Sequence, residues 1–480
     1  MIYDFNESSH VYERSAWALI RDMMAGPEHV HARGDALLPR PGGMTVDDKA
    51  GDRAYRAYLR RAKSGFTDVC NRTASLWSGM VTRKPTIFSA PRLDRTVEYV
   101  GLMDFGTRAL LAPLLHEALT VSFGAVVTDL PEEGGIPYHV LIRAEDIHSM
   151  RVSSDAGDPR VERVVIRETQ QVDQRDVYRV LTMEPGEPYT MRRKFGSENG
   201  EDVEDPVVFP ATVDRIPIRF FNAVDNRPIP GSSIMAPIAQ RCLERYQLTA
   251  ELRHVLYNSA HPTPVVTGVD DDWNSEGYLG SGTIWRLPEK ANAFYLSAPS
   301  DGIDSHRQEI EACDRWMAIL GARMIQDAAV RNEAAQTAMI RTSAETATLM
   351  TIIEVCEAVM RGALQDAAML TGAPMSDGEA AGAVKVNTDL IDNPMTMAEI
   401  VQSVGVWQSG LMGDGETGQR AVLSLLQERD ALPADFDPDA AVASREDGGD
   451  ATRRLLAQAG AFGPVVPTVP AAGLLGGDAE

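Results

Sequence analysis

The sequence predicts an α+β protein, and two changes of rhythm carry that prediction. Apolar residues recur at three- and four-residue spacing before residue 122 and again beyond residue 232, the signature of helices with one buried stripe. Between about 122 and 222 the period drops to two, and short apolar runs are separated by Gly, Pro, Asp and Asn, as in antiparallel strands. A chain of 480 residues is also too long for one ordinary core, so two to four domains are expected.

In chain order, HVYERSAWALIRDMMA (10–25) and residues 51–64 read as helices, with the turn formers of GPEHVHARGDALLPRPGGM between them. FTDVCNRTASLWSGMV (66–81) is another helix, closed by Lys84-Pro85. A helix over 107–121 contains Pro113, which removes a backbone donor and predicts a kink or a late start. The strand candidates follow: SFGAVVTDLP, YHVLIRAEDIHSMRV, VERVVIRETQQV, DVYRVLTM, YTMRRKF and IPIRFFN. Residues 232–259 return to helix on Ile234, Ile238, Cys242 and Tyr246, then Leu248, Leu252 and Leu256, until the two prolines of HPTPVVTG force extended backbone. Residues 261–299 read as a small insert of short strands around a DDDWNSEG turn.

From Ser300 to Ala373 there is no proline, and a single helix of that length would run roughly 100 Å at 1.5 Å per residue. The register must break. Ile310, Cys313, Met317, Leu320 and Met324 form one stripe, and Leu349, Ile353, Cys356, Met360 and Ala363 form another. Between Ile325 and Met339 the only large apolar residue is Val330. The reading is therefore two helices, 303–326 and 337–371, joined by a polar excursion. SAET (343–346) is either a capping box restarting the second helix or helix interior. VKVNTDLI then suggests one strand, 395–430 two more helices, and the last twenty residues a disordered tail.

Composition narrows function. Lys and Arg number 46 against 69 Asp and Glu, a net charge of −23, and the chain has no cluster of Lys and Arg of the kind that grips DNA phosphates, so a stable DNA-binding module is not expected. RRAK (60–63) and RRK (192–194) read as solvated faces. Cys70, Cys242, Cys313 and Cys356 lie far apart without metal spacing, so buried free thiols are expected. GDGETG (413–418) fits a Gly-rich dinucleotide pattern but follows a helical segment rather than a strand, which points to a helix–helix turn. Asp270, Asp272 and Asn274 open like a calcium loop, yet Ser275 and Ser281 stand where Gly and Glu are required. His29 and His31 lack a third ligand nearby; His116 and His254 read as core-edge or surface residues. No cofactor, metal or catalytic motif is predicted. The polar, acidic first residues do not read as a signal peptide, and no transmembrane span is expected, so assembly in a cytoplasm is the expectation.

The segments ALLPRPGGM (36–44), HPTPVVTG (261–268) and SAETATLM (343–350), with the order of elements, resemble the portal proteins of tailed bacteriophages. The resemblance implies a portal-like subunit: an α/β wing over 1–230, a stem helix over 231–260, a small α/β or β clip over 261–299 and a second stem helix over 300–322. A tunnel loop over 323–342 would follow, then the long helix and a return strand over 343–395, a helical crown over 396–458 and the tail over 459–480. It further implies a homo-oligomeric ring, a dodecamer, at the head vertex of a virion. Its partners would be the terminase packaging motor, the head–tail adaptor, the major capsid protein and, transiently, double-stranded DNA, with no membrane and no enzymatic activity.

That resemblance gives the polar segment a purpose. As a tunnel loop, Arg323, Gln326, Asp327, Arg331, Asn332, Glu333 and Gln336 would face a hydrated bore. Arg323 and Arg331 would touch phosphates singly, while Asp327 and Glu333 limit adhesion. Asp270, Asp271, Asp272 and Trp273 would be the clip's partner contact, although Trp273 and Trp285 filling a small clip core reads equally well. Two other readings of the residues stay open: an α+β cytoplasmic enzyme with an unrecognised acidic site, and another head-completion protein.

Overall fold

The computed structural model describes residues 3–6, 10–101, 105–131, 135–155, 158–168, 172–260, 263–268, 287, 289–296, 302–322, 335–388 and 390, with a few positions between 420 and 426. The chain divides into two units, 1–390 and 391–480. In the second, the described positions are helical, within the stretch TGQRAVLSLLQERD expected as helix. The first unit is α+β.

Its N-terminal part is helical: α1 (Val11–Met24), α2 (Pro27–Ala32), α3 (Lys49–Ala62) and α4 (Val69–Thr82). Asp48 caps α3, its carboxylate accepting from Ala50 N and Gly51 N at 3.1 Å each. Trp17, Ile20 and Met23 are buried on α1; Gly51, Tyr55, Tyr58 and Ala62 form the buried stripe of α3. The one-turn α5 (Asp94–Val97) leads to α6 (Thr107–Thr120). Pro113 sits inside α6, which runs unbroken from Thr107 to Thr120, so the helix does not start late there. Burial of Leu110, Leu111, Leu114, Leu115, Ala118 and Leu119 outweighs the single missing donor.

Two antiparallel sheets follow. A six-stranded sheet has the order β1 (Tyr3–Asn6), β5 (Ile147–Asp155), β6 (Asp158–Arg167), β7 (Val177–Thr182), β8 (Thr190–Phe195) and β9 (Val207–Val208). A three-stranded sheet has the order β10 (Ile218–Asn222), β3 (Phe123–Asp129) and β4 (Tyr138–Arg143). The central strand β3 is sandwiched. Phe123, Ala125 and Val127 join the core of the large sheet, while Val126, with Phe221 of β10, joins the core of the helices α6 and α9 (Ala335–Leu370). A strand buried on both faces reads as a continuous apolar run, and SFGAVV is one. The small pair β2 (Ile87–Phe88) and β13 (Val384–Lys385) borders the helical core.

The long helix α9 is buried nearly all round from Leu349 to Met369, yet it carries Asp366, which has no exposed surface. Arg219 of β10 donates to it from Nε and Nη2 at 2.8 and 2.6 Å, and Arg215 from Nε at 3.0 Å. The Arg219 guanidinium reaches it by crossing the helix at Gly362, where any Cβ would lie 2.8 Å from Cδ and Nε of Arg219. A second buried ion pair ties α1 to α6. Arg21 donates to both oxygens of Glu117, at 2.9 and 2.6 Å, and to Glu145 at 2.8 Å. Burial alone would raise the Glu117 carboxyl, but His116 and Arg21 outweigh it and hold it at about 2, against an ordinary 4.5.

Two outcomes follow. Gly362→Ala improves local helix propensity yet is expected to destabilise the fold by about 2–4 kcal/mol, because Arg219 loses its path to a buried charge. Equilibrium unfolding checks it, with Ala363→Gly as the propensity control. For Glu117, a folded pKa below the unfolded value means the stabilisation is complete above pH 4.5 and is lost as pH falls toward 2. In thermal melts, Glu117→Gln is expected to lower the melting temperature at neutral pH and to flatten its decline between pH 4.5 and about 2.

Candidate functional site

The feature that stands apart from the layered core is a long antiparallel excursion. Helix α7 (Ala236–Ala260) leaves the N-terminal helical core, and α8 (Ile303–Met317) returns to it. Three side-chain contacts set the register. Cys242 Sγ lies 3.5 Å from Met317 Sδ, Arg245 Nε donates to Asp314 at 2.5 Å, and His306 Nε2 lies 3.3 Å from Glu251. From the first contact to the second α7 advances three residues and α8 recedes three, and from the second to the third α7 advances six and α8 recedes eight, as two antiparallel helices do. The strand pair β11 (Thr263–Thr267) and β12 (Asn292–Leu296) keeps that pairing, with Thr263 opposite Leu296 and Thr267 opposite Asn292. Gly268 follows β11 with φ +77°, and a Cβ there would lie 2.5 Å from the Lys290 carbonyl oxygen.

Burial falls off along this excursion. At the base, Ile238, Ala239, Cys242, Tyr246 and Ala250 of α7 pack with Tyr55, Tyr58, Cys70 and Met317. Further out, Leu248 and Leu252, expected on the buried stripe, are half-buried, and Leu256 is exposed. In the strand pair beyond the helices, Phe294, Tyr295 and Leu296 of β12 are 46%, 63% and 60% exposed, on both faces of the strand. Trp316, Ile319 and Leu320 are also exposed on the returning arm. Leu320 was expected on the stripe of Cys313 and Met317. A π-helical turn over Ala318–Ala322 widens the spiral at that point, so a constant 3.6-residue count no longer predicts the face.

The second helix of the proline-free run begins at Ala335, so residues 335–342 of the expected loop are helical and SAET (343–346) is helix interior rather than a capping box. Arg323, Gln326, Asp327, Arg331, Asn332 and Glu333 lie outside the described residues, as does the side chain of Gln336 in the first turn of α9. Asp270, Asp271, Asp272 and Trp273, the GDGETG turn and the tail lie outside them too.

Other chemistry resolves into structural roles. All four cysteines are buried free thiols. Cys70 and Cys242 meet at 3.6 Å, and this contact, with burial, pushes the Cys70 thiol up, away from a reactive thiolate. His29 pairs with Asp22 at 2.8 Å; His116 is half-exposed beside Glu117; His254 stands edge-on to Tyr58. Buried His139 lies between the hydroxyls of Thr107 and Thr128 at 2.9 and 3.1 Å, and burial lowers it to about 4. RRK (192–194) is not a merely solvated face: Arg193 binds Glu168 at 2.7 Å, and Lys194 binds Asp202 at 3.2 Å. Among the described residues no group of three His, Cys, Asp or Glu side chains is placed to hold a metal, and no helix is long and apolar enough to cross a membrane.

Residues 235–370 match the family model described as a domain of unknown function, DUF4055, a span that opens at the base of α7 and closes at the end of α9. No curated protein matches. Among solved structures, the chain is similar to one from the neck of an empty GTA particle, at 15% identity over 77% of this chain and 93% of that one, TM-score 0.41. A chain from the virion of a native gene transfer agent particle matches at 16% identity over 77% and 92%, TM-score 0.42. A chain from the neck of a native GTA particle matches at 14% identity over 82% and 98%, TM-score 0.40.

Proposed function

We propose that this chain is a structural subunit of a phage head–tail assembly, and specifically a portal: one copy in a ring that forms the DNA channel at the head vertex. The observation that supports it is the excursion between Ala236 and Ala322. A two-stranded hairpin is marginal in water by itself, and this one exposes Phe294, Tyr295 and Leu296 on both faces. Large apolar side chains concentrated on a projecting arm call for a covering surface. Neighbouring copies around a closed ring supply it, and closure uses every such surface without leaving a free one.

In this reading α7 and α8 are the stem, residues 261–299 the clip, and residues 1–230 with 343–395 the wing; 396–458 form the crown. Asp270, Asp271, Asp272 and Trp273 at the clip meet the packaging motor and later the head–tail adaptor, and the wing meets the major capsid protein. The polar stretch leading into α9 hangs into the bore, with Arg323, Gln326, Asp327, Arg331, Asn332, Glu333 and Gln336 toward passing double-stranded DNA. A net charge of −23 per copy keeps the bore from holding a polyanion tightly. The role is structural, and the packaging ATPase is a separate protein.

Negative-stain imaging with light scattering tests this. A ring with a central hole, a dodecamer in the form we favour, is expected; a monodisperse monomer sinks the reading. Phe294→Ser, Tyr295→Ser and Leu296→Ser combined should abolish rings while leaving the circular dichroism of the subunit unchanged. Replacing residues 327–334 by a Gly/Ser linker should leave rings intact and reduce DNA packaging; loss of the ring would place that segment in the subunit core.

A further inference from the structure

Helix α3 carries a feature that the linear sequence hides. Lys49, Arg53, Arg56 and Arg60, followed by Lys63 in the next turn, recur at offsets of four and three residues, and all five side chains are exposed. At 100° per residue they fall on one face, opposite the buried stripe of Gly51, Tyr55, Tyr58 and Ala62. The only other exposed residue of α3 is Ala50. In a chain of net charge −23, one whole helix face is therefore cationic. Reading RRAK as an isolated solvated patch missed this, because three of the five cations lie outside that tetrapeptide.

We infer that this face of α3 is a contact surface for the phosphate backbone of duplex DNA. The stripe spans about 21 Å, which matches roughly six phosphates of one strand at 3.4 Å of rise each. Arg56 pairs with Asp52 at 2.9 Å, a half-buried carboxylate that Arg40 also holds, and Lys63 with Glu28 at 2.8 Å; the Arg56 and Lys63 side chains are themselves exposed, so both pairs contribute little and give way to phosphate. Lys49, Arg53 and Arg60 have no ion-pair partner among the described residues. Arginine forks match phosphate oxygens two at a time. Protein interfaces centre on Trp, Tyr and Arg together, and this face offers arginine without any exposed aromatic or large aliphatic side chain. Membrane insertion needs apolar residues beside the cations, and those of α3 are already buried against α7. The face carries no base-reading arrangement, so binding is independent of sequence. This inference does not depend on the ring, since a single copy carries the whole stripe.

The test is binding of the full-length protein to a fluorescent random-sequence duplex across a salt series. The wild type is expected to bind with a negative slope of log affinity against log salt. Lys49→Gln, Arg53→Gln and Arg60→Gln combined should weaken binding at low salt about tenfold or more and make the slope shallower by about 2–3, roughly 0.9 per lost contact. Arg72→Gln, Lys290→Gln and Lys385→Gln combined remove the same charge from exposed positions elsewhere and should leave the slope unchanged. Equal loss in both triple variants, or no loss in the first, overturns the assignment. So does displacement of the duplex by polyglutamate at matched charge, which would make the face a dock for acidic protein. Capture by anionic lipid vesicles in place of the duplex, or loss of self-association in the first variant, overturns it as well.

Discussion

The packing of α9 is the constraint on which the rest of the first unit depends. From Leu349 to Met369 this helix has almost no exposed face, because α6, β3 and β10 close around it. A helix so enclosed has no room for polar side chains unless each is matched. Asp366 is matched by Arg219 on β10 and by Arg215 just before it, both more than a hundred residues earlier in the chain. That ion pair also fixes orientation: the helix can neither rotate nor slide along β10 without separating a buried carboxylate from its partners. The choice of Gly362 follows from the same geometry, since a guanidinium must pass over the helix surface to reach its target.

Much of this architecture was legible in the sequence. The change from helical to alternating periodicity near residue 122, and back beyond 230, matches the observed order of helices and antiparallel strands. Strands whose signal is local, such as YTMRRKF and DVYRVLTM, are where the alternation placed them. The strands that escaped were β1, β2 and β9, each two to four residues long and defined by a distant partner rather than by their own pattern. The late start that Pro113 allowed is not seen because local propensity is only one contribution, and the buried leucines of α6 outweigh it.

Of the candidate site, the two arms and the presence of short strands between them could be read from stripe, proline and spacing, whereas the pairing of β11 with β12 could not. Neither could their burial. Leu256 and Leu320 satisfy a helical stripe in sequence but are exposed, the first because the arm has left the core, the second because a π turn alters the phase. Charge behaved similarly. Counting Lys and Arg in consecutive residues separates charges that a helix gathers onto one face, and the stripe on α3 exists only after the chain is wound. Conversely RRK, contiguous in sequence, is dispersed by β8 among Glu168, Glu204 and Asp202.

The shared register of α7 with α8 and of β11 with β12 has an evolutionary consequence. One extra residue in either arm would offset each facing pair beyond it, parting Arg245 from Asp314 or rotating a strand face by half a turn. Insertions and deletions confined between Gly268 and Asn292 leave all those pairings unaltered. The far end of the arm can thus lengthen, shorten or change its chemistry among relatives while its shaft stays constant, so that one scaffold accommodates different attachments.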